Sequence, residues 1–230
     1  MSSLDVRSFT VGPVQENSYI VRAPGEPRRA VIVDPGDEPE RLLHAIDELG
    51  VELEAILLTH CHFDHIGAVA PVARATGAPV YCPEIERPIL TDVMRWVPPG
   101  FGPFESYDPE HTLAGGERLE LAGLEIEVIF TPGHSPGHLT YATSGALLSG
   151  DVLFQGSVGR VDLPGGDWAT LEQSIERLLV AHPAETIVYP GHMGVTTLGR
   201  ERDTNPFLSE LRERVPRAVP ASDAATAAGS

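Results

Sequence analysis

Short apolar runs that end at Pro or Gly recur along this chain and predict a succession of buried strands. Apolar residues at helical spacing predict helices over 38–49, 66–76 and 168–180, with a last helix over 205–215. The predicted strands cover 6–10, 17–21, 28–33, 55–59, 79–81, 118–121, 124–129, 139–143, 146–151 and 186–189. Strands and helices of these lengths are typical of a folded globular chain.

The regular pattern breaks down between residues 83 and 112. Residues 96–104 read W-V-P-P-G-F-G-P-F, and these prolines and glycines exclude a regular helix or a central strand. Long loops without secondary structure are commonly functional or disordered. Two interpretations of this aromatic loop are open: it packs over the mouth of a pocket, or it folds onto its own core.

Length and composition agree with a globular protein. The chain has 230 residues, of which 42% are hydrophobic and 21% charged. We expect one domain over 1–215, followed by a small, polar and disordered tail over 216–230. No apolar run reaches the roughly 18 residues of a membrane span, and no signal segment is evident at the N-terminus. We therefore expect a cytoplasmic protein that has no membrane partner.

Charge and the choice of basic residue narrow the function classes. The formal net charge is −17, and such a surface repels phosphate backbones, so nucleic acid is not the expected substrate. All 16 basic residues are arginines, which excludes Schiff-base chemistry on lysine and leaves arginine to recognise anions. The two cysteines, Cys61 and Cys82, do not suggest a disulfide framework, and we interpret Cys61 as a small buried residue.

The segment 59–65, T-H-C-H-F-D-H, carries the clearest chemical signal in the chain. It follows the apolar run 55–58, so a buried strand delivers its ligands at the edge of a sheet where open α/β sheets place their chemistry. Neutral imidazole and ionised carboxylate are ligands that a divalent metal such as zinc prefers. We therefore interpret this segment as a metal site.

The same succession of strand, Pro/Gly turn and ligand recurs further along the chain. It places His134, Asp151 and His192 after later strands. Together the candidates exceed what one tetrahedral zinc uses, so we expect two divalent metal ions about 3.5–4 Å apart. His138 is either an outer partner of His134 or, as we favour, an ordinary packed residue. The seven candidate ligands are His60, His62, Asp64, His65, His134, Asp151 and His192.

H-x-H-x-D-H at 60–65, with the three later ligands in that order, resembles the metallo-β-lactamase superfamily. The resemblance covers almost the whole chain and implies an α/β (α+β) fold, the αββα four-layer sandwich with the metals at one edge. It further implies that His60, His62 and His134 bind the first metal. The second metal then takes Asp64, His65 and His192, and Asp151 bridges the two.

Within this superfamily the chain is most similar to glyoxalase II, or hydroxyacylglutathione hydrolase. Segments 131–138, 149–154, 189–192 and 197–207 carry this similarity. Full-length glyoxalase II continues into a helical domain, whereas here 38 residues follow His192, so the chain resembles the short single-domain branch. The expected substrate is a small-molecule thioester such as S-D-lactoylglutathione, or a thioester of another low-molecular-weight thiol. Arg160 is a candidate anion contact, with a structural salt bridge as the alternative.

The resemblance implies hydrolysis by a metal-bridging hydroxide, which Asp64 helps to orient as a hydrogen-bond acceptor. We expect zinc, with iron or manganese as alternatives. Two rival functions are a mononuclear-iron persulfide dioxygenase, which would use His60, His134 and Asp151, and a lactonase or β-lactamase-type hydrolase. The sequence leaves the oligomeric state open.

Overall fold

A computed structural model describes residues 4–215 and shows two six-stranded sheets that pack face to face. In each sheet the strands lie side by side in the order in which they occur along the chain. The first sheet contains β1 (Asp5–Val11), β2 (Glu16–Arg22), β3 (Arg29–Val33), β4 (Glu52–Leu57), β5 (Val80–Pro83) and β6 (His111–Leu113). The second contains β7 (Arg118–Leu121), β8 (Leu124–Phe130), β9 (Leu139–Thr143), β10 (Ala146–Gly150), β13 (Ile187–Pro190) and β14 (Thr196–Thr197). A small hairpin lies between β10 and β13 in the chain, with strands β11 (Leu153–Phe154) and β12 (Ser157–Val158).

Each sheet is mixed, and its parallel strands carry the residues that matter for the site. β3, β4, β5 and β6 run parallel to one another in the first sheet, and β10 and β13 run parallel in the second. The carboxyl ends of parallel strands meet at one edge of a sheet, where turns can place side chains together.

Helices cover the outer faces of both sheets. They are α1 (Pro39–Leu49), α2 (Phe63–Ile66), α3 (Val69–Thr76), α4 (Arg87–Leu90), α5 (Trp168–Ala181), α6 (Leu198–Thr204) and α7 (Ser209–Arg214). Single 3-10 turns cover Glu84–Glu86, Val93–Arg95 and Pro206–Leu208. Among the described residues, no helix is long and apolar enough to cross a membrane.

Three apolar clusters separate four layers, as the αββα prediction requires. β3 shows how one strand serves two of them: Ala30 and Ile32 pack under α1 and α3, while Val31 and Val33 face the second sheet. This is the alternation of side chains that a strand buried on both faces produces. The third cluster lies between the second sheet and α5, α6 and α7. The predicted fold class is therefore confirmed.

Hydrogen bonds between the two sheets bring their strand ends together. The Tyr141 hydroxyl donates to the Leu58 carbonyl at 2.7 Å, and the Leu139 amide donates to the Thr59 carbonyl at 2.7 Å. The backbone N–H of Asn17 in β2 donates to the carbonyl of Gly191, which follows β13, also at 2.7 Å. These buried bonds fix the edges of the two sheets against each other, which sets the geometry of the site.

The helix predicted over 66–76 is wrong in its start and continuity. The structure has α2 at Phe63–Ile66 and a separate α3 at Val69–Thr76. The helix is interrupted between them because the backbone N–H of Ala68 donates to the Pro35 carbonyl at 3.0 Å. This tertiary contact replaces the next helical hydrogen bond. As a consequence, two ligand candidates lie on a short helix of their own.

Two further segments differ from the expectation. The irregular segment predicted over 83–112 contains α4 and two 3-10 turns, and its ends belong to β5 and β6. The last helix predicted over 205–215 is a 3-10 turn followed by α7, and α6 before it was not predicted. Gly199 inside α6 weakens the helical pattern, while Thr197 caps this helix by accepting from the Arg200 amide. The tail predicted over 216–230 lies outside the described residues.

The layer between the sheets predicts a clear stability difference. Ile126 is 2% exposed in that layer, so Ile126→Ala should lower the free energy of unfolding by about 2–5 kcal/mol. Ile187→Ala removes the same atoms from a side chain that is 40% exposed and should cost less than about 1 kcal/mol. Urea denaturation of both variants measures the difference. Equal losses would contradict the assignment of this layer as a buried apolar core.

Candidate metal centre

Three imidazoles form what we call the first ligand set: His60, His62 and His134. The first two follow the carboxyl end of β4, and the third lies on the turn after β8. His62 Nδ1 lies 3.0 Å from His60 Nε2 and 2.8 Å from His134 Nε2. The three side chains are so close that one cation can reach a nitrogen of each, since these atoms lie within 4.8 Å of one another.

Asp64, His65 and His192 form the second ligand set. α2 presents the first two, and the third follows β13. His192 Nε2 lies 3.3 Å from Asp64 Oδ2, and His65 Nε2 lies 3.8 Å from the same oxygen. These ligand atoms also lie within 4.8 Å of one another, so they form a second group that suits a divalent cation.

Asp151 lies between the two sets at the carboxyl end of β10. Its Oδ1 is 3.4 Å from His65 Nε2, and its Oδ2 is 3.4 Å from His134 Nε2. One carboxylate therefore reaches both sets, as a bridging ligand must. Gly191 makes this approach possible, because a Cβ there would lie 2.2 Å from Asp151 Oδ1.

Backbone carbonyls fix the orientation of two ligand imidazoles. His134 Nδ1 lies 2.7 Å from the Arg160 carbonyl oxygen, and His192 Nδ1 lies 3.2 Å from the Gln15 carbonyl oxygen. A carbonyl only accepts, so in each ring Nδ1 carries the proton and donates it. Nε2 of each neutral ring then keeps its lone pair and points into the centre, which is the tautomer that metal binding through Nε2 requires.

Asp34 orients two more ligands, and our sequence analysis missed this role. Its Oδ2 accepts from the Thr59 hydroxyl at 2.5 Å and from His65 Nδ1 at 3.0 Å. Because the Thr59 hydrogen goes to Asp34, its oxygen is left to accept from His60 Nδ1 at 3.1 Å. Asp34 is close enough to His60 and His65 to form a third ligand group with them, but its oxygens are already engaged, so we assign it as their orienting partner.

The residues present fit a pair of cations. Among the described residues, the buried polar atoms that have no hydrogen-bond partner include His65 Nε2 and Asp151 Oδ1. An unsatisfied buried polar atom is costly, and a bound cation supplies the missing partner for both. Nitrogens and carboxylate oxygens are also the donor types that zinc, iron and manganese accept. The His and Asp clusters are therefore consistent with a two-metal site.

The electrostatics of the first set favour its ligand form. Burial and the neighbouring imidazoles hold the pKa of His60 well below its ordinary value. Burial, with His134 beside it, lowers the pKa of His62 to about 4. Both rings are therefore neutral at neutral pH and need to lose no proton before they bind a metal.

The second set is balanced differently. Burial alone would raise the pKa of Asp64, but attraction to His65 and a hydrogen bond from His192 hold it below its ordinary value. Burial would lower the pKa of His65 and of His192, but the neighbouring carboxylates outweigh it and raise both. A cation at this set therefore competes with protons on two imidazoles, and its binding releases them.

His138 has a different role from either one considered for it. Its Nε2 accepts the backbone N–H of Asp151 at 3.0 Å, and its Nδ1 lies 3.0 Å from the Thr131 hydroxyl. His138 thus fixes the backbone of Asp151, whereas its ring centroid is 6.1 Å from that of His134. The spacing in the sequence indicates a contact between His138 and His134, because both lie between β8 and β9. In the structure, His138 is instead bonded to Asp151, which follows β10.

The remaining candidates lie around the centre. The Arg160 side chain is 62% exposed and forms two bonds to Asp162, at 2.7 and 2.8 Å. Its predicted contact with substrate stays a prediction, although its carbonyl does orient a metal ligand. Cys61 and Cys82 are both buried and free, with their sulfurs 3.5 Å apart.

The aromatic loop packs against Phe63, the residue that precedes the second ligand set in the chain. Phe101 and Phe104 lie against Phe63, with ring centroids 4.7 and 6.4 Å away, and Phe63 immediately precedes Asp64. A further aromatic residue, Phe154 of β11, has its ring centroid 5.8 Å from that of His192. Val97, Phe104 and Tyr107 of this loop also pack against the apolar cluster under the first sheet, so both interpretations stay open.

Comparisons with known proteins agree with this geometry. A family model described as the Metallo-beta-lactamase superfamily matches residues 11–192. The probable metallo-hydrolase YqgX of Bacillus subtilis is 39% identical over 210 residues, which are 88% of this chain and 97% of that protein. Hydroxyacylglutathione hydrolase GloC of Haemophilus influenzae is 34% identical over 211 residues, or 90% of this chain and 99% of that protein.

Two solved structures are similar over their whole length. A crystal structure of the BLEG-1 B3 metallo-beta-lactamase has a TM-score of 0.83 and 40% identity, and covers 89% of this chain and 100% of its own. A crystal structure of TTHA1623 in a di-iron-bound form has a TM-score of 0.74 and 45% identity, with coverage of 88% and 100%. Both likenesses agree with the two-sheet fold described above, and one of the two proteins was crystallised in a di-iron-bound form.

The geometry predicts a metal stoichiometry that depends on the first set. The intact protein should bind two divalent cations, and His62→Ala should remain folded but lose the cation of the first set, because one of its three nitrogens is gone. Elemental analysis after dialysis against buffer with a low concentration of free metal measures the number of cations bound per chain. His44→Ala is the matched control, since His44 is exposed on α1 and pairs only with Glu48 among the described contacts. A full complement of metal in folded His62→Ala would contradict the ligand assignment.

Proposed function

This chain belongs to the metallo-beta-lactamase superfamily, and we propose that it is a two-metal hydrolase that cleaves 2-hydroxyacyl thioesters of a low-molecular-weight thiol. S-D-lactoylglutathione is the substrate we favour. The main observation in favour of a hydrolase is that Asp151 joins the two ligand sets. Its carboxylate oxygens lie 3.4 Å from His65 Nε2 of the second set and 3.4 Å from His134 Nε2 of the first. That arrangement suits two cations held side by side.

The proposed chemistry assigns separate tasks to the cations and to the chain. When bound, the pair of divalent cations supplies Lewis acidity and lowers the pKa of a water to about 7. The chain holds the ligand imidazoles in the required tautomer through Asp34 and two backbone carbonyls. The Asp64 carboxylate stays ionised and accepts a hydrogen bond from the attacking water, which orients it toward the thioester carbonyl.

Similarity and local charge support the choice of substrate. A relative that matches over nearly its full length carries the name hydroxyacylglutathione hydrolase. The chain has no lysine, so we expect arginine to recognise an anionic thiol carrier. Arg160 is the candidate, because its backbone carbonyl oxygen lies 2.7 Å from Nδ1 of the His134 ligand. Phe63, Phe101 and Phe104 offer an apolar border for the carbon chain of the substrate.

We propose zinc as the metal at both positions, with iron or manganese as alternatives. Three imidazoles in the first set and a His/carboxylate mixture in the second are ligands that all three ions accept. The di-iron form of TTHA1623 supports the iron alternative.

A second candidate function is β-lactam hydrolysis. The likeness to the BLEG-1 metallo-beta-lactamase, at 40% identity over its whole length, favours it. The same ligand sets suit attack on an amide carbonyl. A mononuclear-iron persulfide dioxygenase is less well supported, because the similarity of segments 149–154 and 189–207 to glyoxalase II favours hydrolysis.

Asp151→Ala should abolish thioester turnover, because it removes the carboxylate that joins both ligand sets. Hydrolysis of S-D-lactoylglutathione by the metal-loaded protein is the assay, run beside a β-lactam and beside oxygen uptake with a persulfide. Asp47→Ala, an exposed position on α1, is the control and should keep full turnover. Retained activity in folded Asp151→Ala would refute the site, and β-lactam turnover without thioester turnover would favour the second candidate.

Arg160→Gln should raise the KM for an anionic thioester about 10- to 100-fold while leaving the metal content unchanged, since a hydrogen bond to a charged group is worth about 1.5–3 kcal/mol. Steady-state kinetics and elemental analysis separate the two effects. Arg7→Gln provides a matched control, because Arg7 lies on β1 and is similarly exposed in a surface pair with Asp5. An unchanged KM would leave Arg160 as a residue of the surface ion pair with Asp162.

A further inference from the structure

A buried carboxylate outside both ligand sets ties together the loops that carry the first one. Glu86 lies in the 3-10 turn after β5 and is 1% exposed. Its Oε2 accepts the backbone N–H of Cys61 at 2.5 Å. Its Oε1 accepts the Ser135 hydroxyl and the backbone N–H of Gly137, the latter at 2.9 Å.

The positions of these three donors in the chain are informative. Cys61 lies between His60 and His62, and Ser135 directly follows His134. Each ligand of the first set is therefore one residue away from a group that Glu86 holds. No such contact joins Glu86 to the residues of the second set among the bonds of the described part of the chain.

We propose that Glu86 is a positioning residue that holds the first ligand set at the spacing one cation requires. One oxygen holds the segment after β4, and the other holds the turn after β8, so a single side chain sets the distance between two ligand-bearing loops from different sheets. The inference rests on the metal centre of the proposed function and extends it to a residue that binds no metal itself.

Packing and bond chemistry show that the position is built around a glutamate. A Cβ on Gly137 would lie 2.6 Å from Glu86 Cγ, so the turn closes directly onto this side chain. All three partners are donors, and a carboxylate offers acceptors only. Glutamine in its place must turn an NH2 toward at least one N–H or O–H, and it loses that bond.

The expected defect is therefore selective. Outer partners of metal ligands typically contribute about 10- to 100-fold to metal affinity. We expect Glu86→Gln and Glu86→Ala to weaken binding at the first set by this factor and to leave binding at the second set within a few fold. A residue that served only general stability would not discriminate between the two cations.

The experiment measures cobalt affinity by chelator competition and records the visible absorption of bound cobalt. The full chain is compared with a His192→Ala background, in which only the first set keeps all its ligands, so the affected cation can be assigned. Thermal unfolding of the metal-free variants checks that they fold. Glu84→Gln is the matched control, because Glu84 is exposed on the same 3-10 turn and should leave both affinities and the spectrum unchanged.

A selective loss at the first set, with an altered cobalt spectrum, supports the role of Glu86. Unchanged affinities, or equal weakening at both sets, in folded Glu86→Gln overturn it, and this variant decides if Glu86→Ala does not fold. Absence of thioester hydrolysis in a protein that binds two cations would count against the proposed function and leave this inference standing.

Discussion

The structure depends on one electrostatic constraint, which is the crowding of imidazole lone pairs and carboxylates at a largely buried edge between two sheets. His62 Nδ1 lies within 3.0 Å of two other ring nitrogens. The Asp151 carboxylate lies 3.4–3.5 Å from the Nε2 atoms of His65, His134 and His192. Such a cluster is unfavourable alone, because buried polar atoms without partners lose the hydration that they have in the unfolded chain. Bound cations would offset that cost, so metal binding and the stability of this edge would be coupled.

The scaffold provides the rigidity that this crowding requires. Three apolar layers hold the two sheets and their helices, and hydrogen bonds across the sheets, such as that of Tyr141 to the Leu58 carbonyl, fix the strand ends. Around them, Asp34, His138 and Glu86 each support a different part of the centre. The ligands therefore sit on short turns, but every turn is braced from outside, which keeps the donor atoms preorganised.

The sequence pattern predicts which candidate ligands meet at the sheet edge but not the residues that support them, for a physical reason. A ligand such as His60 or His192 follows an apolar strand directly, so local pattern places it at the sheet edge. Asp34 also follows a strand, but its Asp-Pro-Gly setting reads as a turn, and its partner Thr59 is 25 residues away. His138 and Glu86 act across 13 and up to 51 residues, which only the packing of the sheets determines. Likewise the split between α2 and α3 follows from a bond to the Pro35 carbonyl, which no helical period reveals.

The most direct test of the central claim is a crystal structure of the metal-loaded protein with anomalous diffraction recorded at the absorption edge of the bound metal. We predict two anomalous peaks about 3.5–4 Å apart. One should lie among His60, His62 and His134, the other among Asp64, His65 and His192, with Asp151 touching both. A single peak in fully loaded protein, or a metal held by Asp34 in place of Asp151, would contradict this prediction.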